Sequence, residues 1–177
     1  HYQVVDSGGV DNQRLAQTEV PCQELQKDGK NWLLFMAKDM PSVGYRVYFL
    51  RPVESFSAEP VAESPTVAET DKAFVLENEF VKVAVCKKTG LIVSLVDKAS
   101  GKETIERPSN KLLAFYDHND VYSAWDIASN YLEHPIALDD APVVSLSAKG
   151  PLYAEVRVQS KAKFRDREQL TTFDQRI

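Results

Sequence analysis

The feature that most constrains this chain is a two-residue hydrophobic period in short runs, with no helical stripe beside it. Leu152, Ala154, Val156 and Val158 alternate with Tyr153, Glu155, Arg157 and Gln159, which places one dry and one wet face on a strand. Val81, Val83 and Val85 alternate with Lys82, Ala84 and Cys86, and Tyr45, Val47 and Phe49 with Arg46, Tyr48 and Leu50. Trp32-Leu-Leu-Phe-Met36 is a short apolar run. Leu91-Ile-Val-Ser-Leu-Val96 is nearly continuous, with Ser94 its only polar member, and reads as a strand covered on both faces. Residues 169–177 read as one more strand. Turn formers separate the runs: Pro41 with Gly44, Lys87-Lys-Thr-Gly90, and Asp97-Lys-Ala-Ser-Gly101. Only Val121 to Leu132 has room for a turn or two of helix. Short strands at intervals of about ten residues predict an all-β sandwich or barrel.

One stretch breaks the rhythm. Residues 54–71 hold two prolines, five acids and no glycine, the composition of an extended, self-repelling linker. It reads as a boundary between a small β unit at 1–53 and a larger one at 72–177, with a long surface loop as the alternative. The 177 residues are enough to bury a sizeable core. The chain starts at His1 rather than Met and stops at Ile177 inside a strand-like run, which reads as a piece of something larger.

Composition narrows the function classes. A formal charge of −5 with no basic run argues against nucleic acid, which needs a cationic face. No window approaches the roughly 20 apolar residues of a membrane-spanning helix. Cys22 and Cys86, far apart in sequence, make neither a metal knuckle nor a disulfide framework. They read as small buried residues of a reducing compartment. Phosphate-binding glycine loops, a Gly-x-Ser-x-Gly elbow and Cys-x-x-Cys are all absent. His134 precedes Pro135 and is biased to an extended loop. His118-Asn-Asp120, near Asp117 and Asp126, has the spacing of a two-ligand metal motif. The plainer reading is a polar loop whose short acids cap turns.

The chemically dense stretch is 115–131, which combines Phe115, Tyr116, Tyr122, Trp125 and Tyr131 with Asp117, Asp120 and Asp126. Aromatic planes beside carboxylates suit sugars, whose C–H faces stack on rings and whose hydroxyls donate to acids. The competing reading is that Trp125 and Ile127 anchor a long loop to the core, and composition alone favours it.

Asn110-Lys-Leu-Leu-Ala-Phe-Tyr-Asp117, followed by Tyr122-Ser-Ala-Trp-Asp-Ile127 and Tyr131, resembles a block of the α-mannosidases of glycoside hydrolase family 38. Its pattern is Asn-x-Leu-x-x-Phe-x-Asp, then Trp-Asp-Ala-Trp-Asp-Ile and a Tyr. Asp39-Met-Pro-Ser-Val-Gly-Tyr45 resembles that family's Asp-x-Pro-x-x-Gly-Tyr segment. Asn78 and Phe80, then Gly90, Ile92, Ser94, Leu95, Asp97 and Lys98, resemble its Asn-x-Phe … Gly-x-Ile-x-Ser-Leu-x-Asp-Lys block. Gly150-Pro151 before Val156-Arg157 also fits. The chain departs from the pattern at Tyr122-Ser123, where the family has Trp-Asp, so a carboxylate is lost at 123.

The resemblance implies a C-terminal β-domain segment of a bacterial or cytosolic-type α-mannosidase. The fold implied is an antiparallel β-sandwich of the galactose-mutarotase type, incomplete here and preceded by the small β unit. The intact enzyme implied is a retaining hydrolase of terminal α-mannosides, with an N-terminal α/β barrel that supplies the zinc ligands and the nucleophilic aspartate. No catalytic residue, metal ligand or cofactor is then expected in this chain, which alone would be inactive. His118-Asn-Asp120 falls in the variable spacer of the motif. Asp117, Tyr122, Trp125 and Asp126 are the candidates for the rim of the sugar pocket. The partners implied are α-mannoside glycans and the barrel, with neither nucleic acid nor membrane, and the location implied is cytoplasmic. The alternative is a free-standing carbohydrate-binding β-sandwich module, or a purely structural one. An incomplete sandwich exposes an edge, so a second copy paired along that edge, or a disordered last strand, is expected.

Overall fold

In the computed structural model the chain is all-β, and its sheets are antiparallel. The structure describes residues 1–6, 18–55, 64–117, 124–138, 141–163 and 170–177. Among them no helix is long and apolar enough to cross a membrane. The residues fall into two compact units, one made of His1–Val67 with Ala148–Ala154, the other of Ala68–Ser147 with Glu155–Ile177.

The first unit carries β1 (Tyr2–Asp6), β2 (Thr18–Val20), β3 (Cys22–Lys27), β4 (Lys30–Phe35) and β5 (Tyr48–Pro52). β1 lies between β2 and β5. Val4 and Val5 point to opposite faces of β1 and are both buried, so this strand is covered on both sides. β3 and β4 form a hairpin in register Lys27 to Lys30. Asp28 and Gly29 connect them at φ 54° and 72°, the doubly positive φ that the tightest hairpin turn demands. Gln23 is buried, and both ends of its amide are bonded. Its Oε1 accepts from the backbone N–H groups of Leu152 and Tyr153 at 3.0 and 2.8 Å, and its Nε2 donates to the Tyr153 carbonyl at 2.9 Å.

The alternation at 45–50 does not mark a buried face. Tyr45, Val47 and Phe49 are all exposed, and the strand begins only at Tyr48. The physical reason is Arg46. Its Nε donates to Asp6 at 2.8 Å and its Nη1 to the carbonyls of Lys38 and Asp39 at 3.2 and 2.9 Å. That guanidinium ties the preceding loop to β1 and holds the segment around 46 against Asp6 and the 38–39 backbone.

The second unit is a sandwich. Its larger sheet runs β10-β9-β8-β7-β6, from β6 (Thr66–Glu69), β7 (Ala73–Glu77), β8 (Val81–Cys86), β9 (Ile92–Asp97) and β10 (Lys102–Glu103). β6 lies inside the stretch read as a linker. A short pair, β11 (Ala114–Phe115) with β12 (Pro135–Ile136), follows. The smaller sheet is β13 (Val143–Lys149), β14 (Ala154–Lys163) and β15 (Leu170–Arg176). The alternating periods aim Phe74, Leu76, Val83 and Val85 from one sheet at Val144, Leu146, Val156, Val158 and Ile177 from the other, and these form one core. Gly90 makes the close approach possible, because a Cβ there would fall on the γ-methyls of Val158, and its φ is +69°.

Three expectations need correction. β9 is not covered on both faces: the ladder shifts register between Ala84 and Val85, and Val93, the extra residue of that bulge, is 42% exposed. The wet face of β14 is not wholly wet, because Glu155 is buried. Its carboxylate accepts from the Ser147 hydroxyl at 2.6 Å and faces Arg176 at 3.8 Å. Of the two outcomes expected at the C-terminal edge, a second copy paired there or a disordered last strand, the second is not what is seen, since β15 pairs with β14 from Lys163–Leu170 to Arg157–Arg176.

Two outcomes follow. Gly90→Ala should cost about 2–4 kcal/mol in denaturant unfolding, from left-handed strain plus overpacking. Gly101→Ala, at φ +67° but with open space around a Cβ, should cost only about 1 kcal/mol. Acid should also weaken the fold. Asp174 is held below the usual carboxylate range chiefly by its hydrogen bonds from Arg157, and Glu77 by those from Lys98 and then Lys82. A lowered folded-state value gives stability that is fully present above the unfolded value near 4 and is lost as pH falls below it. Melting temperature should therefore drop below about pH 4, and less steeply in Asp174→Asn or Glu77→Gln.

Candidate functional site

The aromatic and acidic stretch leaves the second unit as a loop pinned at its base. Ala114 pairs with Ile136 and Phe115 with Pro135, and the Tyr116 N–H donates to the His134 carbonyl at 2.9 Å. Inside this neck the Phe115 and Tyr131 rings meet edge to face, with centroids 5.4 Å apart, a geometry aromatic quadrupoles favour. A single 3-10 turn, Tyr131–Glu133, brings the chain back. Among the described residues of 121–132, where one or two turns were expected, that turn is the helical content.

The rim candidates separate. Asp117 sits at the start of the loop, and its Oδ1 accepts from the Ala128 N–H at 3.1 Å. Asp126 Oδ1 accepts from the N–H of its own neighbour Ile127 at 2.8 Å. Trp125 is 89% exposed and Ile127 is 59% exposed, so neither anchors the loop to the core, and the reading that composition favoured fails here. Asp117, Trp125 and Asp126 thus share one loop, with Trp125 displayed on it. Tyr122 lies outside the described residues, as do His118 and Asp120. Among the described residues no three His, Cys, Asp or Glu side chains gather as a metal site.

The other matched blocks are occupied with holding the sheet. Asn78 Oδ1 accepts from the N–H groups of Phe80 and Val81 at 2.9 and 2.8 Å, closing the turn from β7 to β8. Lys98 reaches back to donate to Glu77 at 2.8 Å and to the Asn78 carbonyl at 2.8 Å. Asp97 accepts from the N–H groups of Ala99 and Ser100, and these bonds with the Ser100 hydroxyl hold its carboxyl below the ordinary range. Ser94 donates to Glu103 at 2.6 Å. The turn at Asp97 was legible from its composition, whereas the roles of Asn78, Lys98 and Ser94 were not, although an Asn at a turn position was an available signal.

Both cysteines are free. Cys22 is buried, whereas Cys86 is half-buried, and the Thr89 hydroxyl at the following turn draws its thiol below the ordinary value. That departs from the expectation of two buried thiols.

A family model described as the glycosyl hydrolases family 38 C-terminal domain matches residues 76–176, more than half of the chain and the whole of this loop. No curated protein matches it.

Display without anchoring has a direct consequence for stability. Trp125→Ala should shift unfolding free energy by no more than about 0.5 kcal/mol, as surface substitutions do. A loss of about 3 kcal/mol or more in chemical denaturation is what a buried anchor would give.

Proposed function

The chain belongs to glycosyl hydrolase family 38, and from that premise we propose that it is the non-catalytic C-terminal β-domain of a retaining α-mannosidase. The observation that carries the rest of the reading is Trp125, 89% exposed on a pinned loop inside the matched region. In this proposal the indole lies at the rim of the sugar pocket and stacks on the C–H face of a mannose ring. Asp126, exposed beside it, accepts from sugar hydroxyls.

The reaction that this domain supports is cleavage of a terminal α-mannoside by two carboxylates. One attacks the anomeric carbon while the other first protonates the leaving oxygen and then activates water. Neither carboxylate is assigned to this chain. Zinc belongs to the same proposed enzyme, and the described residues do not fit it, since none gather as a ligand set. The contribution of this chain is binding and orientation at the rim, in a reducing, cytoplasmic setting.

The test uses the intact enzyme with an aryl α-mannoside. Trp125→Ala should raise KM by roughly three- to tenfold with kcat little changed, the value of one aromatic contact, and Trp125→Phe should restore part of it. An unchanged KM in a normally folded Trp125→Ala enzyme removes Trp125 from the rim. Exposure of Trp125 also suits a free-standing sugar-binding module. That reading expects the 177-residue chain alone to bind methyl α-mannoside in calorimetry, whereas the domain reading expects neither tight binding nor hydrolysis.

A further inference from the structure

Ala148–Ala154 belongs to the first unit, although it runs from the end of β13 to the start of β14 in the smaller sheet of the second. The two strands are closed where this tip leaves them. Ser147, the last residue of the second unit before the tip, donates its hydroxyl at 2.6 Å to the buried carboxylate of Glu155, the first residue after it. The tip itself is held by Gln23, which lies on β3 and is 4% exposed. One amide bonds the N–H groups of Leu152 and Tyr153 and the Tyr153 carbonyl, so its acceptor and donor ends match the backbone of the tip. Gly150 is fitted to the same amide. A Cβ there would fall on it, and the φ of Gly150 is not left-handed, so space alone asks for glycine.

We infer that Ala148–Ala154 is a strap through which the folding of each unit depends on the other, and that the Gln23 clasp carries this coupling. An orphaned amide transmits the effect. When the second unit opens, β13 and β14 no longer hold the tip in one shape, and Gln23 is left buried beside groups it cannot bond. The first unit is then less stable than with the strap in place. Such coupling is reciprocal, so opening of the first unit releases the tip and weakens the β13–β14 pair by the same free energy. The inference is independent of the sugar reading of Trp125.

The experiment is native-state amide exchange on the 177-residue chain, in denaturant just below the unfolding midpoint, read at β1 for the first unit and at β8 for the second. Val5→Ala weakens the first unit away from the clasp, at a side chain 1% exposed. In the parent chain it should accelerate exchange at β1 and at β8 alike, by about tenfold or more. Gln23→Met keeps most of the side chain's bulk without its bonds. In that background Val5→Ala should still accelerate β1 about as much, while β8 stays within about threefold. Gly150→Ala, which displaces the Gln23 amide without deleting it, is the second background and should give the same result. Exchange at β8 that Val5→Ala leaves unchanged in the parent overturns the inference, because the units are then uncoupled. Exchange at β8 that responds as strongly in both clasp backgrounds as in the parent also overturns it, because the coupling then runs elsewhere in the chain.

Discussion

The second unit depends on the dry contact between Phe74 and Val85 on one sheet and Val156 and Val158 on the other. Phe74 and Val85 are direct cross-strand partners, as are Leu76 and Val83, so each inward pair presents one continuous surface to the facing sheet. The opposing strand supplies small β-branched side chains, and Gly90 supplies nothing at all where Val158 comes closest. Interiors packed to crystal-like density leave no room for one extra methyl at such a point. The turn carrying Gly90 is therefore part of the core, although it looks like a surface connection. Lys87 in the same turn lies over the Phe74 ring at 4.9 Å and pairs with Glu69 at 2.6 Å, which covers the edge of that core with charge.

The long charged and amide side chains around this centre connect strands. Lys98 joins the end of β9 to the β7–β8 turn. Arg157 grips Asp174 through Nε and Nη2 at 2.9 and 2.6 Å, binding β14 to β15 on the face away from the core. Pairs of this kind add modest free energy each when solvent reaches them. Their larger effect is on register, since a slip by one residue would point every inward valine at solvent.

Strand content was legible because the period of two survives wherever one face is dry. The run 81–86 coincides with β8, and 91–96 with β9 to within one residue. The signal fails where a single side chain outweighs the pattern. Arg46 diverts 45–47 into a tied loop, Glu155 is buried by Ser147 and Arg176, and the bulge at Val93 turns a continuous apolar run outward. β1 and the Asp28-Gly29 hairpin were missed for another reason. β1 is five residues with adjacent rather than alternating valines and β3 is mostly polar, so neither shows a period of two. Asp28-Gly29 between Lys27 and Lys30 was a legible hairpin signal that was not used. Gln23 could not be read at all, because its partners at 152–153 are remote in sequence and meet it only through their backbone.

The candidate site divides along the same line. Residue types that suit a sugar were visible in 115–131, but composition cannot say whether an aromatic points in or out, and it favoured the wrong answer for Trp125. Aromatics of one loop have opposite duties. Phe115 and Tyr131 spend their rings on each other in the neck, while Trp125 keeps its ring in solvent. An indole held that way forgoes the roughly 1.5–3 kcal/mol that burial of a large apolar side chain supplies. A loop that gives up this contribution has to be stabilised elsewhere, and among the described residues its base supplies Tyr116 to His134, Ala128 to Asp117, and the pairing of β11 with β12. Rigidity at the neck then lowers the ordering cost that a ligand meets when it stacks on the exposed ring. The same loop is thereby costly as a fold element and well suited as a binding element.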